Sequence, residues 1–231
     1  MKGIFVLAAL LPLAASAADV REFSLDVPAG DIERLELDAN VGEAEIVAAD
    51  IEVIEVRVRL EPDDDWFGPS ERLEARLAAA ELEHEVSGGS LSLALDYDRV
   101  RNGDDDLVER WEIRLPAKIA LEVELNVGSM DIEGVAAGVN AEVNVGELRI
   151  DVPRGSIDAR VNVGDLNIRS RSEDPGEFDL ESNIGEAVLR IDGKAAGRTE
   201  GWLGNSVAHD AGGKDDVTAE VNVGQVTVNV R

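Results

Sequence analysis

Along most of the chain apolar and polar residues alternate with a period of two, and the phase of that alternation slips once in every repeat. In VNAEVNVGELRIDV the apolar positions are Val143 and Val145, then Leu148, Ile150 and Val152, an odd set followed by an even set across Gly146. The next copy has Val161 and Val163, then Leu166 and Ile168. The same slip separates Val127 from Met130, Ile184 from Ala187, and Val223 from Val226. A strand points successive side chains to opposite faces, so a slip spends a residue in a bend or bulge, and glycine takes the required backbone angles cheaply. The pattern therefore predicts a corner at each of Gly42, Gly128, Gly146, Gly164, Gly185, Gly204 and Gly224.

The glycines belong to a recurring Asn-Val-Gly phrase, decayed at Trp202-Leu203-Gly204, with asparagine-position spacings of 18, 18, 21, 19 and 20 from Asn126 onward. A period near twenty points to a stack of coils that share one core. Pro153-Arg154-Gly155-Ser156 supplies a second turn, so one coil is two short strands and two corners. The expected fold is all-β: one domain, a right-handed parallel β-helix or solenoid-like stack with coils of about 18–22 residues. Stacked in register, Asn126, Asn144, Asn162, Asn183 and Asn222 form a structural ladder. Adding eighteen to outward positions sets Glu142 beside Arg160 and Asp151 beside Arg169. Glu147, Asp165 and Glu186 form a column of like charge, the candidate site for a metal ion, with calcium the ion considered; no calcium-loop motif accompanies it.

The N-terminal half is less regular. IEVIEVRVRL reads as a strand, SERLEARLAAA as a short helix opened by Ser70, and LSLALDYDRV with LVERWEIRL as a hairpin around Asn102-Gly103. Residues 59–120 are read as an elaboration or cap, and 121–231 as tandem coils. The last strand, AEVNVGQVTVNVR, runs to Arg231 and reads as an open edge, suited to docking a partner or a second copy.

Residues 1–17 have Lys2, an apolar run and Ala15-Ser16-Ala17, the pattern of a cleaved export signal, leaving residues 18–231 as the mature domain. No later stretch is long and apolar enough to span a bilayer as a helix. There is no cysteine, so disulfides, thiol catalysis and Cys-ligated metals are excluded. The signal pattern points to an exported protein, periplasmic by default, with the cell surface or secretion as other destinations. The net charge is −27, which excludes nucleic-acid binding. Only His84 and His209 could serve as acid-base groups at neutral pH, and both read as surface or locally bonded residues. No nucleophile, metalloprotease or phosphate-loop motif is present, so the chain is read as non-enzymatic and without a cofactor. The expected function is binding, an acidic face presented to an envelope protein, glycan or cell-wall partner. The alternative is a structural module that self-associates through its terminal β edge.

The segment IRLPAKIALEVELNVGSMDIEGVAAGVNAEVNVGELRI, a strand ending at Pro116 followed by strand-glycine-strand units, resembles the bacterial β-strand-repeat family DUF4097, whose members are labelled adhesins. The resemblance covers most of residues 20–231. It implies a right-handed parallel β-helix-like envelope domain and carries over no catalytic residue. The regular asparagine before glycine departs from the small Ser or Thr-type residues common in the family.

Overall fold

The computed structural model describes residues 20–63, 71–97, 107–200 and 204–231. The expected export signal, Ser70, Asn102-Gly103, Trp202 and Leu203 lie outside them. In chain order the elements are β1 (Arg21–Pro28), β2 (Arg34–Ala48), β3 (Val53–Pro62), α1 (Glu71–Ala79), β4 (Glu81–Ser87), β5 (Ser90–Asp96), β6 (Leu107–Leu115), β7 (Ala120–Glu133), β8 (Val139–Val152), β9 (Ile157–Ser170), β10 (Pro175–Ile191), β11 (Lys194–Ala195), β12 (Arg198–Glu200), β13 (Asn205–Asp210) and β14 (Asp215–Val230). Among the described residues the protein is all-β apart from one short helix, with a single large sheet in the order β1-β3-β6-β2-β7-β8-β9-β14-β10-β13-β12. The run β2-β7-β8-β9-β14-β10 is parallel and in register, glycine against glycine.

These long strands cannot be straight. At ~3.3 Å per residue the ends of β8 would stand about 43 Å apart. Residues 153–156 nevertheless bring the chain from Val152 back to Ile157, which lies beside Val139. Five Cα steps reach at most ~18 Å, and with the ~4.8 Å between neighbouring strands the ends of β8 lie within roughly 23 Å of each other. The strand is therefore folded back near Gly146 into two arms. Val139, Ala141 and Val143 from the first arm and Leu148, Ile150 and Val152 from the second are all buried in one hydrophobic core.

The bend takes more residues than glycine alone. Val145 and its equivalents, expected to point inward, are instead solvent-facing: Val127, Val145, Val163 and Val223 are 43–47% exposed and Ile184 61%. The inward set stops at Val143, both Asn144 and Val145 lie on the outer side of the bend, and burial resumes at Leu148.

The stacking order departs from chain order. Asn162 and Asn183 are 21 residues apart where the preceding copies are 18 apart. The three extra residues stand at the start of β10, ahead of Phe178, which takes the level of Ile157, and they let the chain pass over one ~4.8 Å position. The last strand, β14, returns to fill that position, pairing with β9 on one side and β10 on the other. The C-terminal strand is thus interior, and the expected open edge for docking does not exist there. Gly204 is not a corner of this column either: it precedes β13, which runs antiparallel to the first arm of β10. On the second arm, the Asn205 side chain takes the place of a neighbouring strand, accepting from the Ala187 N–H and donating to the Ala187 carbonyl. Ala196 N–H donates to the Leu189 carbonyl at 3.0 Å.

At the other end β2 pairs with two separate strands. The first arm of β2 pairs with β5 and its second arm with β6, both parallel to β2. β5 and β6 lie along different arms of β2, and their antiparallel partners are β4 and β3, so the expected β5–β6 hairpin is corrected. The hairpin is β4–β5, turning at Gly88-Gly89, where both glycines have positive φ. β6 continues through antiparallel β3 to β1. The helix α1 covers the core, burying Leu73 and Leu77, and Arg21 Nη1 donates to its Ala78 carbonyl at 3.0 Å.

Candidate functional site

The corner is where the repeat concentrates its identity. Gly42, Gly128, Gly146, Gly164, Gly185 and Gly224 all have φ between 136° and 146°. A Cβ built at Gly146 would overlap the carbonyl oxygen of Gly128, and the same holds from each of these glycines to its neighbour in the column. Backbones therefore touch at the bend, and no side chain fits between them.

That close approach sets the asparagines in line. Asn126 donates to Asn40, Asn144 to Asn126, Asn162 to Asn144, Asn222 to Asn162 and Asn183 to Asn222, amide to amide, over 2.5–3.1 Å. The ladder begins at Asn40, which sequence reasoning did not include, and Asn222 stands between Asn162 and Asn183. Beside it runs a second column, Val41, Val127, Val145, Val163, Val223 and Ile184.

Two outward rows border these columns. On the first-arm side the register gives Asp38, Glu124, Glu142, Arg160, Glu220 and Glu181. On the second-arm side it gives Glu43, Ser129, Glu147, Asp165, Gln225 and Glu186. The proposed metal column is thus interrupted: Glu147 and Asp165 are neighbours, but Gln225 separates Asp165 from Glu186. Glu147 pairs with Arg149 and accepts from Asn167 at 3.5 Å. Among the described residues no group of three or more His, Asp or Glu side chains is arranged to hold a metal ion.

A further row out on the first arm, Glu36 and Glu122 lie side by side and widen the acidic face. Hydrogen bonds from Ser90 and Ser92, at 2.6 and 2.7 Å, hold the Glu36 carboxyl below the usual range. Together with Asp38, Glu124 and Glu142 these residues border a shallow depression. Glu142 and Arg160 occupy adjacent positions, as do Asp151 and Arg169, but the ion pairs are others: Arg160 with Asp158 and Glu220, and Asp151 with Arg171. Each such exposed pair contributes only ~0.2–1 kcal/mol.

One carboxylate escaped sequence reasoning. Glu109 is 1% exposed and stands opposite Gly42, where the column of corner glycines ends. It accepts from Tyr97 at 2.8 Å, Trp111 Nε1 at 2.7 Å and the Asn40 N–H at 3.3 Å. Burial pushes its pKa up, against the lowering effect of those hydrogen bonds. The only trace in the sequence LVERWEIRL is that Glu109 stands two positions from both Leu107 and Trp111, so strand alternation alone places it inward with them. The histidines are not brought together: His84 lies exposed on β4 and His209 on β13 beside Phe178, at opposite ends of the sheet. Among the described residues no helix is long and apolar enough to cross a membrane.

No protein-family model and no curated protein matches the chain. Among solved structures, one described as a "putative cell adhesion protein" from Clostridium sporogenes aligns over 92% of this chain and 100% of that chain, with a TM-score of 0.52 and 13% identity. One described as a "putative adhesin" from Bacteroides fragilis covers 91% of this chain and 97% of that chain, with a TM-score of 0.35 and 10% identity. The likeness to the clostridial protein shows a shared fold.

Proposed function

We propose that this chain is a non-enzymatic, exported, adhesin-like binding protein of the cell envelope. Its bent strands are the coils of a right-handed parallel β-solenoid, as the DUF4097 resemblance implies, and they present an acidic face to a protein, glycan or cell-wall partner. The observation that carries this reading is the neighbouring carboxylates Glu36, Asp38, Glu122, Glu124 and Glu142 on adjacent strands of one sheet face. A sheet whose backbone is fixed by in-register pairing holds such charges at constant spacing without ordering a loop.

The non-enzymatic reading draws support from the placement of the groups that could do chemistry. The most buried carboxylate among the described residues, Glu109, is 1% exposed and hydrogen-bonded to Tyr97 and Trp111. The two histidines stand at opposite ends of the sheet. The fold shared with the clostridial protein described as a cell adhesion candidate is consistent with a display scaffold.

The test is adhesion of the purified chain to isolated bacterial envelopes and to glycan arrays across a salt series. Binding should weaken as salt rises, and Glu122→Lys combined with Glu124→Lys should reduce it at least about tenfold. Undiminished binding by that variant, or turnover of an arrayed glycan, would contradict the reading.

A further inference from the structure

The aliphatic column at the corner has no role in the core. Val127, Val145, Val163, Val223 and Ile184 are each 43–61% exposed, yet every strand of the parallel column keeps a β-branched aliphatic there, in a chain whose net charge is −27. With Val41 they form one line across six strands, about 24 Å long at ~4.8 Å per strand. A continuous exposed apolar strip with polar borders marks an interaction surface more often than scattered surface residues do.

The borders identify the partner's chemistry. Nine of the twelve positions in the two flanking rows are carboxylates, and Arg160 is their one cation. Glu43, Glu147 and Glu220 have arginine partners. Among the described residues Asp38, Glu124, Glu142, Asp165, Glu181 and Glu186 make no ion pair, so negative charge remains on both sides of the strip. A second copy of this chain would bring the same carboxylates against themselves, and an anionic lipid surface would be repelled.

We propose that the corner strip docks a linear cationic amphipathic polypeptide segment of a partner protein, its aliphatic stripe on the Val/Ile column and its Lys or Arg side chains reaching the two acidic rows. The length matches about sixteen residues of helix or seven of strand. This rests on the reading of the chain as a binding protein and names the partner's chemistry. The ladder of asparagines beside the strip fixes the spacing of the valines and leaves the strip itself free of charge.

The test uses the purified chain and three synthetic probes: a sixteen-residue Leu/Lys peptide with leucine on one helical face, the same composition scrambled, and oligolysine of equal charge. The amphipathic peptide should bind at least about tenfold more tightly than either control, since stripe and charge then act together. Val145→Thr with Val163→Thr keeps branching at Cβ and removes apolar surface, and should bring the affinity down to that of the scrambled peptide. Equal binding of all three probes by the unaltered chain would overturn the proposal, and that comparison does not depend on how a variant folds. So would peptide affinity unchanged in a folded threonine variant, a dimer that the peptide dissociates, or preferential binding to phosphatidylglycerol vesicles. The two readings fail separately. Loss of envelope binding on charge reversal at Glu122 and Glu124, with the threonine variant at full strength, would sink the strip alone; absence of envelope binding with stripe-selective peptide binding would sink only the envelope reading.

Discussion

Glu109 shows how one side chain closes a repeating pattern. The glycine column can continue only while the next strand also bends, and β6 does not bend: it begins at the level where β2 turns. The Glu109 carboxyl accepts the Asn40 N–H at that break, together with donors from Tyr97 and Trp111. Enclosure makes the ionised form costly, so the folded-state pKa lies above the ordinary carboxyl value. A group raised in this way favours folding most below its unfolded pKa, and that contribution is lost as pH rises through the folded value. Glu109→Gln keeps an acceptor for Trp111 and cannot ionise. It should melt higher than the unaltered chain at pH 8, with the gap closing toward pH 4. A melting series across that range checks the sign; a variant less stable at pH 8 than at pH 4, relative to the unaltered chain, would contradict it.

The bent strand is the element on which the fold depends. Its two arms face one core only because the backbone turns at a residue without Cβ, and neighbouring strands approach at that point until a glycine carbonyl fills the space. Gly146→Val would combine a strained φ with overlap against Gly128, and should cost at least about 3 kcal/mol in chemical denaturation. The same substitution at Gly30, where nothing lies within 4 Å, is the control and should cost far less. Equal midpoints for the two variants would contradict the close-packed corner. The corner was legible in the sequence because period two leaves no other way to change phase. The direction of Val145 was not, because a slip in phase does not say how many residues the bend takes. The β4–β5 hairpin carried its own mark at Gly88-Gly89, but the neighbouring Asn102-Gly103 pair resembles a turn equally well. Only the strand pairing, β5 with β4 and β6 with β3, separates the two.

At the scale of the whole molecule the parallel sheet is finished by different means at its two ends. Helix α1 and the strand pair β5 and β6 cover one end; at the other, β11 and β13 pair with β10, with the Asn205 amide standing in for a missing strand. The repeat length conveyed the parallel stack, since each copy returns in register to its neighbour. The order of the stack was hidden in a difference of three residues, 21 against 18, which reads equally as a longer turn. The acidic face was legible as composition, but its arrangement in rows needed the register, and so did the interruption of the Glu147, Asp165 and Glu186 column by Gln225. Both the asparagine ladder and the aliphatic strip depend on β14 standing between β9 and β10. The absence of native cysteine allows a direct test, because any disulfide must come from an introduced pair. Val163→Cys with Val223→Cys places two exposed residues on adjacent strands, at the ~4.4–6.8 Å Cα separation a disulfide needs, whereas Val163→Cys with Ile184→Cys places them two strands apart. Under mild oxidation the first pair should form an intramolecular disulfide and the second should remain as free thiols. Cross-linking of Val163→Cys to Ile184→Cys, with none to Val223→Cys, would show that the coils stack in chain order and would contradict the account.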